Sequence, residues 1–541
     1  MKKTLSLLLV LCAALSLLSG CFEDGSGQQF EYDLEAPPSN LDPQLAEDES
    51  SLDVVGNIFE GLLVKKADGS IVPGVAKSYQ TENGGTRYIF TLRDDATWSN
   101  GDPVTAHDFA FAFKRLFSPE TRSPYANDFY IISGSRAYMS GQVGLEGLGV
   151  KALSNTSLQI DLSHADESFL DLLTTPAAFP CNEKFFNSTK GGYGLTAEAL
   201  ISNGPFSLTT WIKEGEKDDY LVLRQNDKYS SDSPVVAGSV VLNIVPDYED
   251  RLKNFEKGET DCLLYTDHPK SVSEGAVSYQ NTTWALVLNQ KEPLLSNGNI
   301  RRGLVLATDK NAIKDMLPAY QTLAGALVPP DIQMGQQSFR AFAGENLMPT
   351  PNAQAAKETY RAGADSFDAA YNAGTSDDDY NSLASQITVL CPDDEASLSY
   401  LQNLLQLWQR DLGLFPKVET MSLEDIQSKV YLEDYDIALV PITATQNSAE
   451  SFLADFYTGS ERNLPALSDP VVDSLLQRME DSTSASERAD LCRQAEQAIL
   501  ATNCIIPLYY QPQFFVQGKS VQNIEYNPYF GYIKFKEAIK N

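Results

Sequence analysis

The chain starts with Met1-Lys2-Lys3 and then an almost wholly apolar run, Leu5–Leu18. At about 14 residues this run is shorter than the roughly 20 that a bilayer-spanning helix needs. A cationic start followed by a short greasy stretch is the layout of a secretory signal. No later stretch of the sequence is as long and as apolar. Everything behind the first twenty residues is therefore expected to fold as an exported globular body.

The run ends in Leu18-Ser19-Gly20-Cys21, which reads as a lipobox. There the Cys21 thiol takes a diacylglyceryl group and becomes the first residue after cleavage of the signal, 1–20; the bland alternative is a plain signal beside a chance cysteine. Residues 21–30 begin as a polar tether, Glu23-Asp24-Gly25-Ser26-Gly27-Gln28-Gln29, with no hydrophobic pattern. Two or three acyl chains, at about 0.8 kcal/mol per buried CH₂, hold a soluble body to a membrane without a spanning helix.

A chain of 541 residues is too long for one core and predicts three to four units. Apolar residues at 43% and charged residues at 21% exclude global disorder. The formal charge of −32 argues against nucleic acid or an anionic membrane surface as a partner, because each phosphate contact wants a cation. Only His107, His164 and His268 are present, which limits metal and acid–base chemistry. With Cys12 in the signal and Cys21 lipidated, Cys181, Cys262, Cys391, Cys492 and Cys504 remain. That odd, widely spaced set predicts no disulfide framework and at most two bridges.

Strand and helix signals alternate along the body, which points to an α/β or α+β class. Tyr88–Arg93 alternates as a half-buried strand, and Thr105-Ala106-His107-Asp108 reads as a capping box opening a helix with Phe109, Phe113 and Leu116 on one face. Ser385–Cys391 predicts a buried strand. Leu398, Leu401, Leu405, Trp408 and Leu412 then recur at helical spacing up to Gly413, and Tyr435–Val440 is the next strand, together a βαβ unit. Ser484 and Glu487 cap a last helix before the strand Ile505–Tyr510.

Catalytic motifs are hard to find. Gly518-Lys519-Ser520 would end a phosphate loop, but the glycine needed five residues earlier is Gln513. Gly144–Gly149 has its glycines in the wrong order for a dinucleotide loop. No HExxH or GxSxG occurs, and Asp377-Asp378-Asp379 lacks the glycine and terminal glutamate of a calcium loop. No cofactor and no metal site is expected. With 73 acidic residues, the sequence leaves open which two could face each other across a cleft. The pattern leans toward binding rather than catalysis.

A set of ordered motifs is more informative. Leu41-Asp42-Pro43, Asn57–Leu62, Val72–Ala76, Phe90–Arg93 and Trp98–Phe109 resemble the solute-binding proteins of peptide ABC importers, family 5. So do Ser202-Asn203-Gly204-Pro205-Phe206 with Trp211, Phe255–Asp261, Ile300–Leu304 and Ala307-Thr308-Asp309. The likeness runs from about Leu34 to the C-terminus. It implies an α/β, two-lobed periplasmic-binding-protein type II-like fold with an accessory domain and a hinge. Scaled onto this chain, lobe I is 31–48, 179–268 and 512–541, the accessory domain is 49–178, and lobe II is 269–511. It also implies a monomer on the outer face of the cytoplasmic membrane. The cleft of that monomer captures a peptide and hands it to an ABC permease driven by ATPase subunits. Backbone pairing with exposed strands would hold such a ligand whatever its sequence.

The resemblance places Tyr125, Ile442 and Thr445 as candidate ligand contacts, and Tyr509 and Tyr510 join them as strand positions of which at most one can face a ligand. Packing is the bland reading of Tyr125, and core positions are the default for Tyr509 and Tyr510, which alternate on one strand. Trp98–Pro103 and Asn203-Gly204-Pro205 read more simply as structural turns. In peptide-binding members an Asp of the cleft strand holds the peptide amine; here that position is Thr445, the nearby Trp is Ile442, and an Arg that can meet a carboxylate is Leu439. A hydroxyl cannot supply the charge-assisted bond an ammonium needs, and Pro37-Pro38 removes two N–H donors from the facing segment. Glu450 and Asp455 are candidates to replace the lost charge. Two alternatives stand beside the peptide reading: a non-peptide solute such as an oligosaccharide or metal chelate, and a secreted two-domain hydrolase.

Overall fold

Ile505–Gln517 forms the longest strand of the described residues, buried on both faces for most of its length. The computed structural model describes residues 27–541 apart from 67–69, 167–168, 214–218, 267–274, 336, 373–382, 461, 483 and 530. The signal, Cys21, the first part of the tether, His268 and Asp377–Asp379 therefore lie outside the described residues.

The long strand runs antiparallel to Val277–Leu288, from Val277 opposite Phe515 to Val287 opposite Ile505. Its C-terminal end pairs with Cys262–Tyr265. Two prolines inside a central strand would each remove a ladder bond. Pro512 sits where the register skips between Tyr279 and Thr282, and Pro507 where it shifts between Trp284 and Ala285. The bulges absorb the missing N–H groups. The sequence reading ended this strand at Tyr510; the polar, proline-interrupted stretch after it hides the continuation.

On the other side Val277–Leu288 pairs antiparallel with Ile437–Thr443. Thr388–Pro392 and then Lys417–Met421 follow in parallel, completing a seven-stranded sheet with the short Thr322–Leu323. The helix Glu395–Leu412 starts at Asp394, whose carboxylate accepts from Ser397 N, and ends at Gly413 with φ 72°. It is followed not by Tyr435–Val440, as the sequence suggests, but by Lys417–Met421. That edge strand carries Lys, Glu and Thr and is half exposed, so it lacks an apolar signature. The helix Leu423–Tyr431 then leads to Ile437–Thr443.

Period-two alternation sorts the side chains of this sheet onto two cores. Ala285, Val287, Ala438 and Val440 enter one cluster, while Leu286, Leu288, Ile437 and Leu439 enter another on the opposite face. A separate core unites Phe30, Phe59, Phe90, Phe113, Phe206 and Phe535. Around it lie the sheet of Gln28–Leu34, Ala237–Ile244, Tyr220–Gln225 and Phe206–Ile212, and the sheet of Ala76–Glu82, Arg87–Leu92, Ser157–Asp161 and Val150–Ser154. The molecule is thus α/β and two-lobed, with crossing strands as the hinge. The five cysteines of the described residues are free and buried.

The ordered motifs tie the first lobe together. Thr105 and Asp108 form the capping box of the helix Ala106–Leu116. Asn203 accepts from Glu60 N at 3.2 Å and donates to Glu60 O at 2.9 Å. Beside it a Cβ on Gly204 would lie 2.6 Å from the Ile58 carbonyl carbon, so only glycine lets these segments touch. Asp42 forms a buried ion pair with Arg115, whose Nη1 also donates to Gln44 at 2.7 Å. Asp42→Ala strands that guanidinium and should destabilise the lobe by about 3–5 kcal/mol in urea unfolding. An unchanged midpoint would contradict this assignment.

Candidate functional site

A cavity of about 740 Å³ separates the two lobes. Asn127–Ser140 lines it from the first lobe and Gln446–Ser460 from the second. Local structure explains what each side presents. The short 3₁₀ turn Ala126–Phe129 delivers Asp128 to the cavity wall. The helix Ala449–Ala454, capped by Ser448, brings Glu450 into its first turn and Asp455 to its end.

Arg462 joins the two walls. Its Nη1 lies 3.2 Å from Asp128, 3.6 Å from Asp455 and 3.3 Å from the Thr445 hydroxyl oxygen, and its Nη2 lies 3.5 Å from the Pro124 carbonyl. Deeper in the interface, Arg488 donates to Glu450 at 3.1 Å and lies 3.9 Å from Asp166 of the first lobe. Nearer the rim, Arg136 grips both oxygens of Glu480 at 2.7 and 2.8 Å. Burial pushes Asp455 up to about 7 despite Arg462. Burial, reinforced by Asp166, does the same to Glu450, also to about 7. Asp128 and Glu480 are raised for the same first reason. Burial lowers His164, so its imidazole is neutral at neutral pH.

The candidates from sequence fall in different places. Thr445 reaches the polar cluster through Arg462. Tyr125 is buried beside that cluster, and its hydroxyl donates to the Ala46 carbonyl. Ile442 is 8% exposed and packs in the second-lobe core. Tyr509 stacks on Trp284 at 5.9 Å and meets Tyr400 edge-on, away from the cavity lining. Tyr510 exchanges hydrogen bonds with the backbone of Ala326. Leu439 is wholly buried. Glu450 and Asp455, named only as replacements for a lost charge, do line the cavity. Arg462 and Arg488 were missed, since an isolated arginine in a loop or helix carries no sequence signal for a partner far along the chain. Among the described residues no group of three or more His, Cys, Asp or Glu is placed to hold a metal.

Two lobes with separate cores, joined by crossing strands around a cavity that mixes charged and apolar side chains, define a two-lobed solute-binding protein. The chain belongs to the bacterial extracellular solute-binding proteins, family 5, whose model matches residues 70–463. It is 27% identical to the oligopeptide-binding protein OppA of Bacillus subtilis, over 99% of both chains. It is 26% identical to the probable deoxycholate-binding periplasmic protein YgiS of Escherichia coli, over 90% of this chain and 88% of that one. Its fold is similar to the substrate-binding domain of an oligopeptide ABC transporter from Bacillus anthracis, with TM-score 0.80, 24% identity, and 95% of this chain and 99% of that one covered.

The raised carboxylates set a pH dependence. Asp455 and Glu450 keep their protons up to about pH 7 in the folded chain, but release them near about pH 4 when unfolded. The stability they contribute is full below about pH 4 and lost as pH rises through about 7. Between about pH 5 and 8 the melting temperature should therefore fall less steeply in Asp455→Asn and Glu450→Gln than in the unaltered protein. Parallel profiles would contradict the protonation scheme.

Proposed function

We propose that this protein is the substrate-binding component of a peptide ABC importer, tethered by lipid at Cys21 on the outer face of the cytoplasmic membrane. It captures a peptide between its lobes and passes it unaltered to the permease, whose ATPase subunits supply the energy. The observation that carries the reading is the interlobe cavity, walled by both lobes of a family 5 chain. Its size falls within the ~300–1,000 Å³ of ordinary small-ligand sites. The relatedness to a protein named for oligopeptide binding favours a peptide guest.

The strand Ile437–Thr443 offers further support. It pairs with its parallel neighbour only at Ile437 and Ala438 and then runs on toward Thr445. An extended ligand placed along that end would use main-chain hydrogen bonds common to all peptides. Closure of the lobes is driven by contacts present only in the closed form. The proposed division is lobe I at 31–48, 179–268 and 512–541, an accessory domain at 49–178 and lobe II at 269–511. A single closed chain then suffices as the binding unit, and a monomer is the form proposed.

The likeness to YgiS gives the non-peptide alternative a specific basis, and one experiment separates the two. Thermal melting with a pool of short peptides, unblocked and N-acetylated, should raise the melting temperature by mass action and leave every peptide intact by mass. With Thr445 in place of an acid and Arg462 beside it, acetylated peptides are expected to shift melting as much as free ones. No shift from either pool, alongside a shift with deoxycholate, would replace the peptide reading. Cleavage of the peptides would replace it with a hydrolase.

A further inference from the structure

Three groups of charges border the cavity, and two of them share one pattern. Arg462 is shared by Asp128 and Asp455. Arg488 is shared by Asp166 and Glu450. Arg136 holds Glu480, which also feels Asp481 beside it on the same helix. In the first two groups one guanidinium faces two carboxylates, whereas Arg136 meets Glu480 one to one. In two of the groups the acids come from opposite lobes, so the excess charge concentrates where the lobes meet. All six carboxylates line the cavity.

One arginine neutralises one carboxylate, so each of the two shared groups has a negative charge left over when ionised. In bulk water such an excess is screened within about 10 Å at ordinary salt. These carboxylates are largely buried in the cavity wall, where the effective dielectric is lower and a leftover charge is costly unless a cation or a proton meets it. The neutral His164 supplies none. The arginines cannot turn to a new partner without abandoning the acids they hold across the interface.

We infer that the cavity selects cationic ligands, and specifically peptides carrying Lys or Arg side chains, through two carboxylate pairs that each share a single guanidinium. The inference rests on the peptide reading above and deepens it. A lysine ammonium supplies the charge that each shared group lacks. A glutamate side chain adds to the excess, and a neutral side chain leaves it unmet. Preference therefore comes from the side chains, while the main chain supplies contacts that every peptide shares.

Calorimetry with the purified protein and five-residue peptides, four alanines with Lys, Ala or Glu at the centre, tests this directly; spermine serves as a cationic probe that is not a peptide. The Lys peptide is expected to bind at least about tenfold more tightly than the Glu peptide, with Ala between them. Glu450→Gln and Asp455→Asn keep side-chain shape and should shrink that ratio, with melting curves confirming that each variant folds. Equal binding of the three peptides, or tighter binding of Glu, would overturn the cationic assignment while leaving the peptide reading in place. An undiminished ratio in both variants would overturn the role of these carboxylates. If no peptide binds but spermine does, the peptide reading fails and the cationic one stands; if neither binds, both fall.

Discussion

Everything in this molecule depends on the strand Ile505–Gln517, which pairs with Val277–Leu288 on one side and with Cys262–Tyr265 on the other and so ties the two lobes together. The ladder is continuous enough to hold the lobes together and irregular enough to bend. Its two register shifts coincide with Pro507 and Pro512, where main-chain bonds are missing. The cores on either side do not merge. Phe30, Phe90 and Phe206 belong to one lobe, Val287, Val440 and Trp408 to the other, and only the small cluster of Leu263, Tyr265, Phe514 and Val516 lies at the crossing. Separate cores with a narrow shared ladder allow rigid-body closure without repacking either interior.

The second determinant is electrostatic. Where the lobes face each other the structure places arginines between carboxylates alongside apolar side chains such as Ile131, Met139, Tyr457 and Met479. A purely hydrophobic seam would stay shut, because burial of apolar area is favourable whether or not a guest is present. Ion pairs with partly exposed partners, such as Arg136 with Glu480, are worth little when isolated and readily exchanged for water. A cleft lined in this way can open at modest cost. Arg462 adds a particular feature. Its guanidinium sits against Thr445, at the position where the resemblance places an acid that holds a peptide amine.

Local structure was largely legible in the sequence because it rests on short-range chemistry. The capping box at Thr105, the glycine stop at Gly413 and the apolar stripe through Trp408 all appear where spacing predicted them. The ordered motifs identified the family, and the structure gives several of them packing roles, such as the clasp of Asn203 on Glu60. Two strand features escaped for a physical reason. Lys417–Met421 is a polar edge strand, and the continuation of Ile505–Tyr510 hides behind a proline that only its partner's bulge accommodates. The site was the least legible part. Tyr509 and Tyr510 sit on the right strand but turn into packing, whereas Arg462 meets Asp128 across 334 positions of sequence, a separation no local pattern reports.

The central claim is that one small guest is gripped by both lobes at once. Hydrogen exchange of the purified protein, with and without a saturating bound peptide, tests it most directly by following the cavity walls at 127–140 and 446–460. The account predicts that both segments, one in each lobe, become protected together on binding. Protection confined to one wall, or to neither while the peptide remains bound, would show that the guest sits elsewhere and would contradict it.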